Sequence, residues 1–176
     1  MKLSKPSTLA LALKGFFVDY LPCQRALSPH TIQSYRDSLK LLLQFAAGRR
    51  GDPSQLAVEQ LGVQKVTAFL QSLETDRQNQ VSSRNVPLSA IHSFFRYLGG
   101  RYPQHLEQAQ RILSIPFKRA GSREIHYWEF DEIQAVLQAV DTEAGNGCRD
   151  LALLNLMFNT GARVSEIVGR KPPICV

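Results

Sequence analysis

A chain of 176 residues with 44% apolar side chains is long enough for one domain or two small ones and apolar enough to build a core. Its net charge of +6 and isoelectric point near 9.5 favour a polyanionic partner. Nine prolines and eleven glycines are too few for a disordered chain, and no run approaches the roughly 20 apolar residues of a membrane span. Cys23, Cys148 and Cys175 are widely spaced, odd in number and without a Cys-x-x-Cys or Cys/His pattern. They exclude a disulfide framework or a recognisable metal site and point to a reducing cytoplasm. Lys2 and Lys5 before the apolar run 9–13 faintly resemble a signal peptide, but the run is short and Lys14 interrupts it.

Residues 8–21 read as a first helix, with Leu9, Leu13, Phe16, Phe17 and Tyr20 at helical spacing and Pro22 ending the run. The second helix has Ser28 as N-cap and Pro29 at its first position. Ile32, Tyr35, Leu39, Leu42 and Ala46 form its apolar stripe, and Gly48 ends it. Its other face carries Thr31, Gln33, Arg36 and Lys40. Such a face is ordinarily only solvated; Arg36 and Lys40, one turn apart, are also spaced to reach phosphates.

Residues 48–53 are a loop and 54–61 a short connector, ambiguous in type. A third helix spans 62–73, with Val63, Val66, Phe69, Leu70 and Leu73 inward, and a polar loop covers 75–80. The fourth helix runs over about 83–98, capped by Asn85 with Pro87 in its first turn, and Gly99-Gly100 ends it. Leu88, Ile91, Phe94, Phe95 and Leu98 make its stripe, while Arg84, Ser89, His92 and Arg96 lie off it. A lone His there is ordinarily a surface or boundary residue. A fifth helix spans 104–113, and no strand-like alternation precedes residue 114. Residues 1–113 therefore read as a compact all-α domain of four to five helices.

Residues 114–123 read as a basic linker: Pro116 and Gly121 break regular structure, and Lys118, Arg119 and Arg123 carry charge. The bland reading is a solvated loop and the functional one a tether lying against DNA. An amphipathic helix over 129–140 follows, with Ile133, Val136, Leu137 and Val140 inward, then a loop over 141–147. The apolar segment 151–158 continues the helical pattern, Asn159 and Gly161 let the chain leave it, and 162–168 starts again. Arg163 then falls in the first turn of a helix that begins at a corner. That placement suits an anion, although the everyday expectation is a surface Arg paired with Glu166.

Charge is divided unevenly. Residues 1–123 hold 17 Lys/Arg against 7 Asp/Glu, and residues 124–176 hold 4 against 8. A nucleic-acid-binding module followed by something else shows this asymmetry.

The string Leu153-Leu154-Asn155-Leu156-Met157-Phe158-Asn159-Thr160-Gly161-Ala162-Arg163-Val164-Ser165-Glu166-Ile167 resembles the first catalytic box of the tyrosine recombinases, the phage integrase family. Residues 88–98 resemble the fourth helix of that family's core-binding domain, with His92 where Arg is commoner, and Ser28, Thr31, Tyr35, Leu39 and Phe45 resemble its second. Residues 127–137 resemble the first helix of its catalytic domain, with Trp128 where a capping Thr or Ser is usual. The resemblance implies an all-α, SAM-like core-binding domain at 1–113, the linker 114–123, and the first helices of a catalytic domain at 124–176.

It also implies chemistry. The family's tyrosine attacks a DNA phosphodiester without metal, ATP or other cofactor, and two arginines stabilise the phosphate charge. Arg163 corresponds to the first of them. The family's β-hairpin lysine, His-x-x-Arg box and nucleophilic tyrosine fall beyond this point, and the chain stops thirteen residues after Arg163 with a tail, 170–176, that departs from the pattern. The expectation is a truncated recombinase that binds duplex DNA without cleaving it. Its partners would be double-stranded DNA and other recombinase subunits, with no membrane and no small-molecule substrate. The DNA contacts expected from helical position are Arg36, Lys40, Arg84, His92, Arg96, Lys118 and Arg119. A helical protein–protein interaction module with incidental basic charge is the alternative.

Overall fold

A computed structural model describes residues 7–48, 50–75, 81–119, 121 and 126–169, with only the backbone of 81 and 82. Lys2, Lys5, the loop residues 76–80, Arg123, and the tail 170–176 with Cys175 lie outside the described residues. The chain divides into two compact units, Met1–Gly121 and Ser122–Val176. All regular structure among the described residues is helical, as the sequence pattern leads one to expect.

In the first unit α1 spans Thr8–Gly15, α2 Pro29–Ala47, α3 Val63–Thr75, α4 Val81–Arg101 and α5 Leu106–Leu113. Short 3₁₀ turns fill Pro53–Gln55, Val58–Gln60 and Pro103–His105. The ends follow local chemistry. The Ala10 amide donates to Ser7 Oγ at the start of α1, and the Thr31 amide to Ser28 Oγ at the start of α2, where Pro29 occupies the first turn. Gly48, at φ 73°, closes α2.

The core is built on α4, which touches α2, α3 and α5. Leu88, Ala90, Ile91, Phe94, Phe95 and Leu98 are all buried along it. Phe94 meets Phe16 edge to face at 5.3 Å and Phe95 at 5.5 Å, and Phe45 of α2 meets Phe69 of α3 at 5.6 Å. The connector closes the far end: Gln108 of α5 donates through Nε2 to the carbonyls of Val58 (2.7 Å) and Leu61 (3.2 Å).

Three expectations about boundaries are corrected. Pro22 does not end the first helix. The chain passes from α1 into a π-wound segment, Phe16–Gln24, with Pro22 inside it and the Arg25 amide donating to Tyr20 O. A proline ring clashes with the carbonyl four residues back in an α-helix, whereas i→i+5 winding moves that carbonyl aside. Buried Phe16 and Leu21 anchor the segment. Nor does Asn85 cap α4, which begins earlier; its side chain instead holds Lys118, accepting from the Lys118 amide (3.2 Å) and donating to its carbonyl (2.8 Å). Finally, α4 runs through Gly99-Gly100 to Arg101 because Gly99 is packed against α5: a Cβ there would stand 3.0 Å from Ala109 Cβ.

The segment after α5 is not a free tether over its first residues. Ile115 is buried, Phe117 lies edge-on to His92 at 5.2 Å, and Lys118 is held by Asn85 and Glu74.

In the second unit α6 spans Phe130–Gln138, α7 Gly147–Thr160 and α8 Val164–Val168. Phe130 and Phe158 meet at 6.2 Å, joining α6 to α7. None of its described apolar side chains is fully buried, and Tyr127, Trp128, Phe130, Val164 and Val168 are more than half exposed.

Candidate nucleic-acid interface

The expected DNA contacts fall into two groups. Arg36, Lys40, Arg96 and Arg119 are exposed, and none has a carboxylate partner among the described residues. Arg36 and Lys40 stand one turn apart on α2, and the Arg36 guanidinium lies 5.8 Å from the centre of the Phe17 ring. The ring steadies the long side chain without neutralising it.

The second group is spent inside the unit. The Arg84 side chain is 7% exposed; its Nη1 donates to Pro116 O at 3.2 Å and Asn85 Oδ1 at 3.3 Å. Its Nε faces Glu74 Oε1 at 3.7 Å, and neither atom has a closer hydrogen-bond partner among the described residues. Glu74 Oε2 accepts from Lys118 Nζ at 2.7 Å. Arg84, Glu74 and Lys118 thus pin the segment after α5 to α3 and α4. His92 is buried with Nε2 at 3.1 Å from Ile112 O. A carbonyl only accepts, so Nε2 carries the proton. Arg84 and His92, expected off the apolar stripe as DNA contacts and His92 ordinarily at a surface or boundary, are instead buried, and each finds a partner far away in sequence.

Burial pushes the His92 pKa below its ordinary value, with Arg96 and Arg84 adding repulsion and the bond to Ile112 opposing them. The unfolded chain therefore binds a proton at residue 92 near pH 6.5 that the folded chain refuses until lower pH. This contribution to stability is present above pH 6.5 and is lost as pH falls toward the folded pKa. His92→Gln keeps a donor for Ile112 O and removes the titration. Urea midpoints at pH 7.5 and 5.5 should differ more for the parent than for the variant; equal differences would rule out His92 as the titrating group.

A groove of about 410 Å³ opens between the π-wound segment and α4. Asp19, Tyr20 and Gln24 line one side, and Arg96, Tyr97 and Arg101 the other. Among these the sequence reading singled out only Arg96 as a DNA contact. Arg101 fell outside a helix taken to end at the glycines, and Asp19 and Gln24, five apart, share a side only in π winding.

In the second unit, Gly161 closes α7 in the left-handed region at φ 65°. Arg163 follows as the N-cap of α8 rather than in its first turn, with extended backbone at ψ 149°. Its amide donates to Glu166 Oε2 at 2.9 Å, and its guanidinium, 82% exposed, lies 3.3 Å from Glu166 Oε1. Thr160 Oγ1 accepts from the Ala162 amide and donates to Leu156 O, which fixes the corner. Glu166 therefore takes the Arg163 amide and one guanidinium nitrogen, Nη1, and leaves the rest of the exposed guanidinium open.

No helix among the described residues is long and apolar enough to cross a membrane. No group of three His, Cys, Asp or Glu among them is placed to hold a metal ion.

Residues 15–101 match the phage integrase N-terminal SAM-like domain. The chain is 44% identical over 170 residues to an integrase/recombinase of Sinorhizobium fredii, y4rC, covering 96% of this chain and 51% of that protein. A second from the same organism, y4rD, is 39% identical over 95% of this chain and 60% of its own length. Tyrosine recombinase XerD of Haemophilus influenzae is 29% identical over 90% of this chain and 50% of its own length. The chain spans about half the length of such relatives. No solved structure gives a significant match.

Proposed function

Because the chain belongs to the tyrosine recombinase (phage integrase) family, we infer that its first unit binds duplex DNA in site-specific recombination. The observation that carries this reading is the set of exposed cations on one compact basic unit that have no carboxylate partner among the described residues. Residues 1–121 hold 16 Lys/Arg against 7 Asp/Glu, and residues 122–176 hold 5 against 8. Arg36, Lys40, Arg96 and Arg119 are the phosphate contacts. Arg84, His92 and Lys118 act indirectly, by holding the segment 114–118 in place beside α4.

Arg163 is the phosphate-gripping arginine of the family's active site, by its place in the Thr160-Gly161-Ala162-Arg163 string. These 176 residues, taken alone, bind DNA without cutting it. A nicked duplex should form no covalent adduct with the chain; an adduct mapped to any of its tyrosines would refute that part of the reading. The protein acts in the cytoplasm, with DNA and other recombinase subunits as partners.

Binding of a labelled duplex measured against salt tests the main claim. Arg36→Ala and Lys40→Ala should each weaken binding alike on any sequence and flatten the log-affinity against log-salt slope by about 0.9. Arg163→Ala should leave binding unchanged. Absence of duplex binding at low salt would favour a protein-interaction module instead.

A further inference from the structure

We propose that the groove between the π-wound segment and the C-terminal half of α4 binds a single unpaired nucleotide of DNA, preferring a base that carries an exocyclic amino group. The proposal rests on the reading of the first unit as a DNA-binding module and extends it from paired to unpaired DNA.

The groove is chemically mixed. Arg96 and Arg101 are exposed and have no carboxylate partner among the described residues. Opposite them stands Asp19, whose Oδ2 accepts from Gln24 Nε2 at 3.0 Å. Tyr20 lies stacked on Phe16 at 5.8 Å and 22°, and meets Tyr97 at 4.9 Å. Since Phe16 is wholly buried, the Tyr20 ring is held from behind by the core.

Each part suits one part of a nucleotide. The arginines suit phosphate oxygens, and the anchored ring is a stacking surface. Asp19 Oδ1 and Gln24 Oε1 are acceptors left over after their mutual bond. They can receive the two hydrogens of the amino group of adenine, cytosine or guanine, while an unpaired thymine offers a single N3–H donor flanked by two carbonyl oxygens that face the carboxylate unfavourably. A site for phosphate alone would not hold the Asp19 carboxylate. The shape selects further. Paired bases show their edges at the bottom of the duplex's own grooves, out of reach of a recess in the protein, whereas an unpaired base can leave the stack and enter one. The π winding is what makes the site, because it puts Asp19 and Gln24 on adjacent turns.

The test compares three short labelled duplexes at one salt concentration: fully paired, with one extra unpaired adenine, and with one extra unpaired thymine. The thymine duplex controls for added flexibility. The full chain should bind the adenine duplex about tenfold more tightly than the paired one, in the range given by stacking of one base, and more tightly than the thymine duplex. Gln24→Ala and Arg101→Ala alter exposed side chains away from the core. Each removes one hydrogen-bonding partner of the nucleotide and should cut that advantage by about two- to tenfold, while paired-duplex binding stays the same. Asp19→Ala should abolish the preference for adenine over thymine. Equal affinity for all three duplexes would overturn the proposal and leave the duplex reading standing. So would an Arg101→Ala variant that weakens all three equally with a flatter salt slope, since that marks a plain phosphate contact. Binding to none would overturn both readings. Binding to the adenine duplex alone would uphold the groove and overturn the assignment of paired DNA to Arg36 and Lys40.

Discussion

Phe94→Ala is expected to destabilise the first unit by about 3–5 kcal/mol, the range for removing a fully buried aromatic ring. Phe94 is 1% exposed and contacts both Phe16 and Phe95 edge to face. The loss extends past the cavity itself. Phe16 also packs on Phe17, Tyr20 and Tyr97, so the π-wound segment loses part of its seat on α4 and keeps the part made by Tyr97. A domain of this size is stable by about 5–15 kcal/mol in total, so most of the unit's margin is at stake. Hydrogen exchange of the α4 amides is the direct readout, because the single tryptophan, Trp128, lies in the second unit. Leu11→Ala, at an exposed position, should change those rates little. A loss below about 1 kcal/mol for Phe94→Ala would contradict the packing described.

Glu74→Ala should cost about 3 kcal/mol, near the lower end for removing one partner of a buried pair. The guanidinium of Arg84 would keep only two neutral acceptors, Pro116 O and Asn85 Oδ1, in a site 7% exposed. Glu74 itself is 23% exposed, and that access to water moderates the penalty. Lys118→Ala removes the other arm at a side chain 52% exposed and should cost less than about 1 kcal/mol. Replacing both members of the pair with Glu74→Leu and Arg84→Met should recover most of the loss, since no stranded charge remains. Urea unfolding followed by the same amide exchange, together with protease cutting near residues 114–119, separates these cases. If the double variant is as unstable as Glu74→Ala, a stranded charge is not the cause.

The helices of the first unit were legible because their apolar residues recur at helical spacing with interpretable ends. Ser28 and Pro29 start α2 and Gly48 ends it, and Leu39 and Leu42 are buried where the stripe places them. The π winding was not legible, because Phe16, Phe17, Tyr20 and Leu21 suit either winding and Pro22 reads locally as a stop. Arg84 and His92 misled for another reason. A polar residue off an apolar stripe is normally solvated, and nothing near them in sequence announces Glu74, Pro116 O or Ile112 O. At the candidate site, position on α2 was enough to single out Arg36 and Lys40. The groove partners of Arg96 come from a different element and depend on its unusual winding. The corner before Arg163 was visible in Gly161, while the engagement of Glu166 with both the Arg163 amide and guanidinium was only half anticipated.

Gly99 has a bearing on how this sequence can drift. A glycine inside a helix costs about 1 kcal/mol relative to alanine, so position 99 carries a standing penalty. A methyl group there would stand 3.0 Å from Ala109 Cβ and 3.4 Å from Leu106 Cδ1, so α5 would have to give way by a few tenths of an ångström to admit it. Volume at this crossing is shared between two helices and can change hands without changing in sum. Homologous chains with alanine at position 99 should therefore carry glycine at position 109, and the two sites should covary as a pair although ten residues separate them.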